Sequence, residues 1–231
     1  RRFRAVPERA MTVRDAWTLA TWDDHDFVGN NSTATCAGRD EAKRAFLEFF
    51  ATPDLPPGPE GIYHAQRIGP VEFFMMDSRT FRPEVGDPGR RCDEDPSAVD
   101  PGRAAGMFGP VQVAWLLDAL EASTAPFKFI ANGSRWTDEG SRDSWTSFLP
   151  ARDALFDAID ARGIEGVVLL SGDIHRSNLA WVDRPSGYRM PEITSSPLAN
   201  SSGSCPDEGP NQLFCHSGIS FAVLDVDTAL D

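Results

Sequence analysis

The stretch VVLLSGDIHRS, residues 167–177, decides the reading of this chain. Four apolar residues in a row, preceded by Gly166, have the length and content of a strand buried on both faces of a sheet. The run stops at Ser171-Gly172, and Asp173 and His175 follow at once. In open α/β sheets, ligands bind beyond the carboxyl ends of strands. Gly172 allows a close backbone approach there. Asp173 and His175 are two residues apart, so both can turn towards one site if the chain stays extended. A carboxylate with an imidazole suits Zn, Fe or Mn better than Ca alone. The plainer alternative is an aspartate capping the next segment and a histidine on the surface.

Working outward, strand and helix signals alternate and then strands cluster. Ala42, Ala45, Phe46 and Phe49 recur at helical spacing within 39–51, with Pro53 beyond the end. Residues 11–20 read as a short helix, and 62–68 and 71–77 as two strands joined at Gly69-Pro70. The stretch 83–109 is rich in Pro, Gly and Asp and reads as a long surface loop or insertion. Pro110 opens a helix with Val113, Leu116, Leu117 and Leu120 inward. Residues 127–132 form a short strand. Pro150 opens a second helix with Leu155, Phe156 and Ile159 inward, capped by Gly163. NLAWV (178–182), PEITSS (191–196) and ISFAVLDV (219–226) read as three later strands. The order implies a mixed α/β architecture with more than one sheet, within one domain over 1–231.

The net charge is −13, so a basic nucleic-acid footprint is absent. An anionic substrate would need cations to reverse the local sign. No apolar run is long enough to span a membrane. Cys36, Cys92, Cys205 and Cys215 show no CxxC spacing, which argues against a zinc finger or a thioredoxin motif. Cys205 and Cys215 flank PDEGPNQLF and form the favoured disulfide, with Cys36–Cys92 as a second pair; four unrelated thiols are the alternative. Two disulfides would imply an oxidising compartment. No G-x-S-x-G elbow is present for a serine hydrolase.

A second chemical stretch is TWDDHDFVGNNS, residues 21–32. It gathers three carboxylates, one histidine and two asparagines. A solvated turn accounts for Asp, Gly and Asn, but not for His25 inside the acidic run. Asp24 can bind a metal while His25, adjacent, faces a substrate and protonates a leaving oxygen.

TWDDHDFVGNN, SGDIH and EITSSPLAN together resemble three signature stretches of the PhoD-like alkaline phosphatases, divergent calcineurin-like metallophosphoesterases. MMDSRTFR (75–82), FGPVQVAWLLDAL (108–120) and NGSRW followed by DSW (132–145) agree as well, so the resemblance runs from Thr21 to Asn200. It implies a two-sheet αββα sandwich, and hydrolysis of phosphomonoesters or phosphodiesters by a metal-bound hydroxide attacking phosphorus in line. It implies Asp24 and Asp173 on one metal and His175 on the other, with His25 as acid or electrophile, oriented by Asp23 or Asp26. Arg79, Arg135 and Asn132 become candidates for substrate contact, with ordinary ion pairs as the alternative for the two arginines. The metal pair would be Fe with Ca, Zn or Mn. Members of the family tend to be exported, which implies a periplasmic or extracellular location. Two earlier Asp-rich motifs of the family have no counterpart before Thr21, where only Arg14-Asp15 stands. The chain is therefore expected to be the C-terminal part of such a domain, incomplete at its N-terminal side, with an upstream segment supplying further ligands. A non-catalytic metal-binding or structural fragment is the rival expectation.

Overall fold

The computed structural model describes residues 16–50, 55, 61–137, 141–182, 187–207 and 209–228. Four helices and seven strands succeed one another in these residues. They are α1 (Asp24–Phe27, a single turn), α2 (Arg39–Phe49), β1 (His64–Ile68), β2 (Val71–Met75), α3 (Gly109–Ala122), β3 (Phe127–Ala131), α4 (Leu149–Ala161), β4 (Val167–Ser171), β5 (Arg176–Trp181), β6 (Pro191–Thr194) and β7 (Gln212–Ser217).

All seven strands join one sheet in the order β1-β2-β3-β4-β6-β5-β7. β2, β3, β4 and β6 run parallel, while β1, β5 and β7 pair antiparallel to their neighbours. The mixed α/β class expected from the pattern is the class observed. The second sheet of the expected sandwich has no strand among the described residues.

One face of the sheet carries the main core. Phe74, Ile130 and Leu169 meet Leu116, Leu120, Leu155 and Ile159 from α3 and α4. The helices begin with proline in the first turn, at Pro110 and Pro150, as the pattern predicts. Trp136 and Trp145 stack in this core with ring centroids 4.8 Å apart. The register places a different set on the other face: Phe73, Phe129 and Val168 in one row, Leu170, Ile193, Leu179 and Phe214 in another. None of these belongs to either of the apolar clusters that the described residues form. The second cluster is small: Trp22, Phe27, Phe46 and Ile62, with Trp22 edge-on to Phe27 and Phe46. It fixes α1 against α2 and so anchors the WDDHD stretch.

Two expected elements differ. Residues 16–20 are irregular, and the rest of the helix expected over 11–20 lies outside the described residues. Residues 219–226 form no strand. The free edge of β5 is taken by Gln212–Ser217 instead, a strand that carries Cys215 of the Cys205–Cys215 disulfide. Strand-like composition fixes only that a segment can be extended; which segment wins an edge is a tertiary matter. The later segment is tied locally, Ser220 N–H donating to Pro197 O and Ala222 N–H to Ser195 Oγ.

Both expected disulfides, Cys36–Cys92 and Cys205–Cys215, are formed. The stretch 83–109 is irregular apart from a 3-10 turn at Arg103–Ala105, an isolated bridge between Cys36 and Glu94, and its last residue, Gly109, which opens α3. No helix among the described residues is long and apolar enough to cross a membrane.

Candidate active site

The parallel strands β2, β3 and β4 all end on one edge of the sheet, and each is followed by polar residues. Asp77, Ser78 and Arg79 come after β2, Asn132 to Arg135 after β3, and Asp173 and His175 after β4. The WDDHD stretch packs against this edge. Trp22 Nε1 donates to Asp77 Oδ1 at 2.8 Å, and Thr21 Oγ1 donates to Met76 O. Asp77 is itself fully buried and also accepts the backbone N–H groups of Ile62, Arg79 and Thr80. It is a structural keystone that the sequence reading did not single out. Its only signal was a carboxylate directly after an apolar run.

Asp23, Asp24 and Asp173 each offer a carboxylate oxygen, and these oxygens lie within 4.8 Å of one another. Asp23 is extended (φ −128°, ψ −161°) and Asp24 opens α1, so the change of conformation between them lets two neighbours converge. Asp24 is buried, and its two oxygens accept the N–H groups of His25 at 2.7 Å and Asn31 at 2.9 Å. Gly133 is held against Asp23: a Cβ there would lie 2.3 Å from its carboxyl carbon. Asp173 and His175 both have positive φ, 70° and 56°. Non-glycine residues held in the left-handed region mark sites where the surroundings over-determine the backbone.

Asp24 and Asp173, both singled out from sequence, are thus brought together. Asp23, expected only to orient His25, joins them. His175 stands outside the carboxylate group, and its Nε2 lies 3.2 Å from Asn200 Nδ2. His25 is exposed on α1, next in sequence to Asp24.

Arg79 is completely buried. Its Nε donates to Asp23 Oδ1 at 2.6 Å, and its two terminal nitrogens grip both oxygens of Asp143 at 2.7 Å. Ser134 Oγ accepts a further bond. Arg82 adds a second cation to Asp143 at 2.9 Å. Arg135 is also completely buried and faces Glu192 at 3.6 Å. Glu192 accepts the Trp136 and Thr137 N–H groups and the Thr137 and Ser171 hydroxyls, which staples the loop after β3 to the end of β4. Asn132 is buried, its Oδ1 accepting from Ser134 N–H, while its Nδ2 has no hydrogen-bond partner among the described residues. Of the other histidines, His64 is buried with Nδ1 on Ile62 O, and His216 is exposed on β7.

Burial pushes the Asp23 carboxyl up to about 8; Arg79 pulls it back, and Asp173, Asp143 and Asp24 add to the rise. Burial likewise opposes ionisation of Asp143, but Arg79 and then Arg82 outweigh it and hold that carboxyl below the usual range. Crowded carboxylates with a carboxyl raised this far are the electrostatic condition that a bound cation relieves. The donor set fits one: three carboxylates at an open strand edge make a hard-oxygen site that could hold a metal ion.

The model of the PhoD-like phosphatase family matches residues 8–212 of this chain. Alkaline phosphatase D of Bacillus subtilis (strain 168) is 27% identical over 183 residues, which cover 69% of this chain and 31% of that protein. The solved structure described as "Structure of PhoD" superposes with a TM-score of 0.67 at 22% identity, over 87% of this chain and 45% of its own. The chain therefore spans about a third of the length of the first relative and under half of the second. With the family model covering most of its length, the chain belongs to the PhoD-like phosphatase family.

Proposed function

We propose that this chain carries a phosphate-ester hydrolase site at the carboxyl edge of β2, β3 and β4, dependent on a metal ion held by Asp23, Asp24 and Asp173. The observation that carries the reading is the convergence of these three carboxylates from two distant segments, in a chain of this family. A bound cation would supply Lewis-acid stabilisation of the developing charge and lower the pKa of the attacking water.

The chain's own residues do the rest. Arg79 and Asp143 hold the Asp23 carboxylate in place from behind. Asn132 Nδ2, a buried donor with a free hydrogen-bonding capacity among the described residues, is suited to a phosphoryl oxygen. His25, exposed beside the carboxylates, is placed to protonate the leaving alkoxide. His175, two residues after Asp173, would hold a second ion, with Asn200 beside its ring. The substrates are phosphomonoesters or phosphodiesters. The all-oxygen group favours Mn or Ca over Zn as the first ion. The two disulfides support a periplasmic or extracellular location.

The test is hydrolysis of nitrophenyl phosphate and of an alkyl phosphate by the chain with added Mn2+ or Ca2+. Turnover should require the cation and vanish in Asp173→Ala. His25→Ala should slow the alkyl ester far more than the nitrophenyl ester, whose leaving group needs no proton. Turnover that survives Asp173→Ala would contradict the site. A bound cation with no turnover would leave a metal-binding module without catalysis.

A further inference from the structure

Resting on the reading of Asp24 as a metal-holding carboxylate, we propose that residues 87–95 are a strap that positions it, with Asp87 and the Cys36–Cys92 disulfide as its two fastenings. Asp24 Oδ2 is held by the backbone N–H of Asn31, a residue at φ 53°. Asparagine tolerates the left-handed region better than most residues, yet it still needs something to keep it there. That something is supplied from 56 residues away in sequence: Asn31 Nδ2 donates to Asp87 Oδ2 at 2.8 Å.

The contact is the first stitch of a seam. Asn30 Nδ2 donates to Gly89 O, and Arg91 N–H donates to Asn30 O at 2.7 Å. Further along, Ala37 N–H donates to Asp93 O and Asp95 N–H to Thr35 O, both at 2.8 Å. The Cys36–Cys92 disulfide closes the seam covalently. Its two sides approach closely enough that a Cβ on Gly29 would lie 2.3 Å from Arg91 O, and one on Gly89 2.7 Å from Asn31 Nδ2. Among the described residues the Asp24 carboxylate accepts from His25 and Asn31 and not from the strap; Asp87 acts on it through Asn31. Asp87 is therefore a positioning residue, and the GNN of the acidic stretch 21–32 is the lever between strap and site.

The logic of outer-shell support applies. Partners that orient a ligand affect metal affinity without touching the ion. A dithiol reductant, itself oxidised to a cyclic disulfide as Cys36 and Cys92 become thiols, would remove the covalent tie within the seam, so the site's affinity for a cation becomes sensitive to the redox state of Cys36 and Cys92.

The experiment measures backbone amide exchange at Asn31 by NMR on the full chain without metal, and Mn2+ affinity in parallel. Three forms are compared with the wild type: Asp87→Ala, the double variant Cys36→Ser/Cys92→Ser, and Cys205→Ser/Cys215→Ser as a control. The strap predicts exchange at Asn31 about tenfold faster in the first two, as expected for a lost hydrogen bond, and unchanged in the control. Mn2+ binding should weaken about tenfold in the same two forms. Asp87→Ala alters one partly exposed side chain, so it reports even if loss of the disulfide unfolds the chain. Wild-type protection at Asn31 in Asp87→Ala would overturn the proposal. If exchange responds as stated while no form binds Mn2+, the strap stands as the support of Asp24 and the metal reading falls.

Discussion

Asp23 is the residue on which the electrostatics of the site turn. Its carboxyl is displaced from 3.8 to about 8, chiefly by burial. Between those values the folded chain keeps a proton that the unfolded chain has released. Unfolding then frees a proton, so the stability of the metal-free chain falls as pH rises through that window. With chelator present, the melting temperature should drop from about pH 5 to about pH 8, and Asp23→Asn should flatten that drop. An unchanged slope in Asp23→Asn would place the ionisation elsewhere. This residue was poorly legible in the sequence. Asp24 and Asp173 could be named from their strand-end and family context, but adjacent aspartates normally diverge. Only the switch from extended to helical backbone at Asp23 turns both carboxylates inward. The arginines were legible as important and not as to partner. Arg79 is completed by Asp143, 64 residues away, which no local pattern announces.

At the level of elements, hydrophobic pattern identified what was buried and proline identified where helices begin. VVLLS could be read as a central strand because both its faces are apolar, and it lies between β3 and β6. The helix stripes on α3 and α4 gave the residues that meet the sheet. Strand pairing at the end of the chain was not legible. ISFAVLDV has the stronger strand composition, yet QLFCHS takes the edge of β5, with Cys215 tied back to Cys205. Backbone exchange should therefore be slow at alternate positions of 212–217 where they face β5. Over 219–226 it should be fast except at Ser220 and Ala222, which donate to Pro197 and Ser195. Slow exchange throughout 219–226, with 212–217 open, would restore the strand expected from sequence.

At the scale of the whole molecule, the sheet is asymmetric. One face is covered by α3 and α4, and the other presents Phe73, Phe129, Val168, Leu170, Ile193, Leu179 and Phe214 in register. Apolar residues on both faces are what a central layer requires, and a two-sheet sandwich is what such a layer belongs to. The polar edge between the layers is where three strand ends and the WDDHD turn deliver their carboxylates. In a chain with net charge −13, that edge can meet an anionic ester only if a cation is held there. The most direct measurement is calorimetric titration of the metal-free chain with Mn2+, alongside Asp173→Asn. The account predicts saturable binding by the wild type, with proton release at neutral pH as Asp23 ionises, and loss of both in Asp173→Asn. Binding of equal strength in Asp173→Asn, or no binding by the wild type, would contradict it.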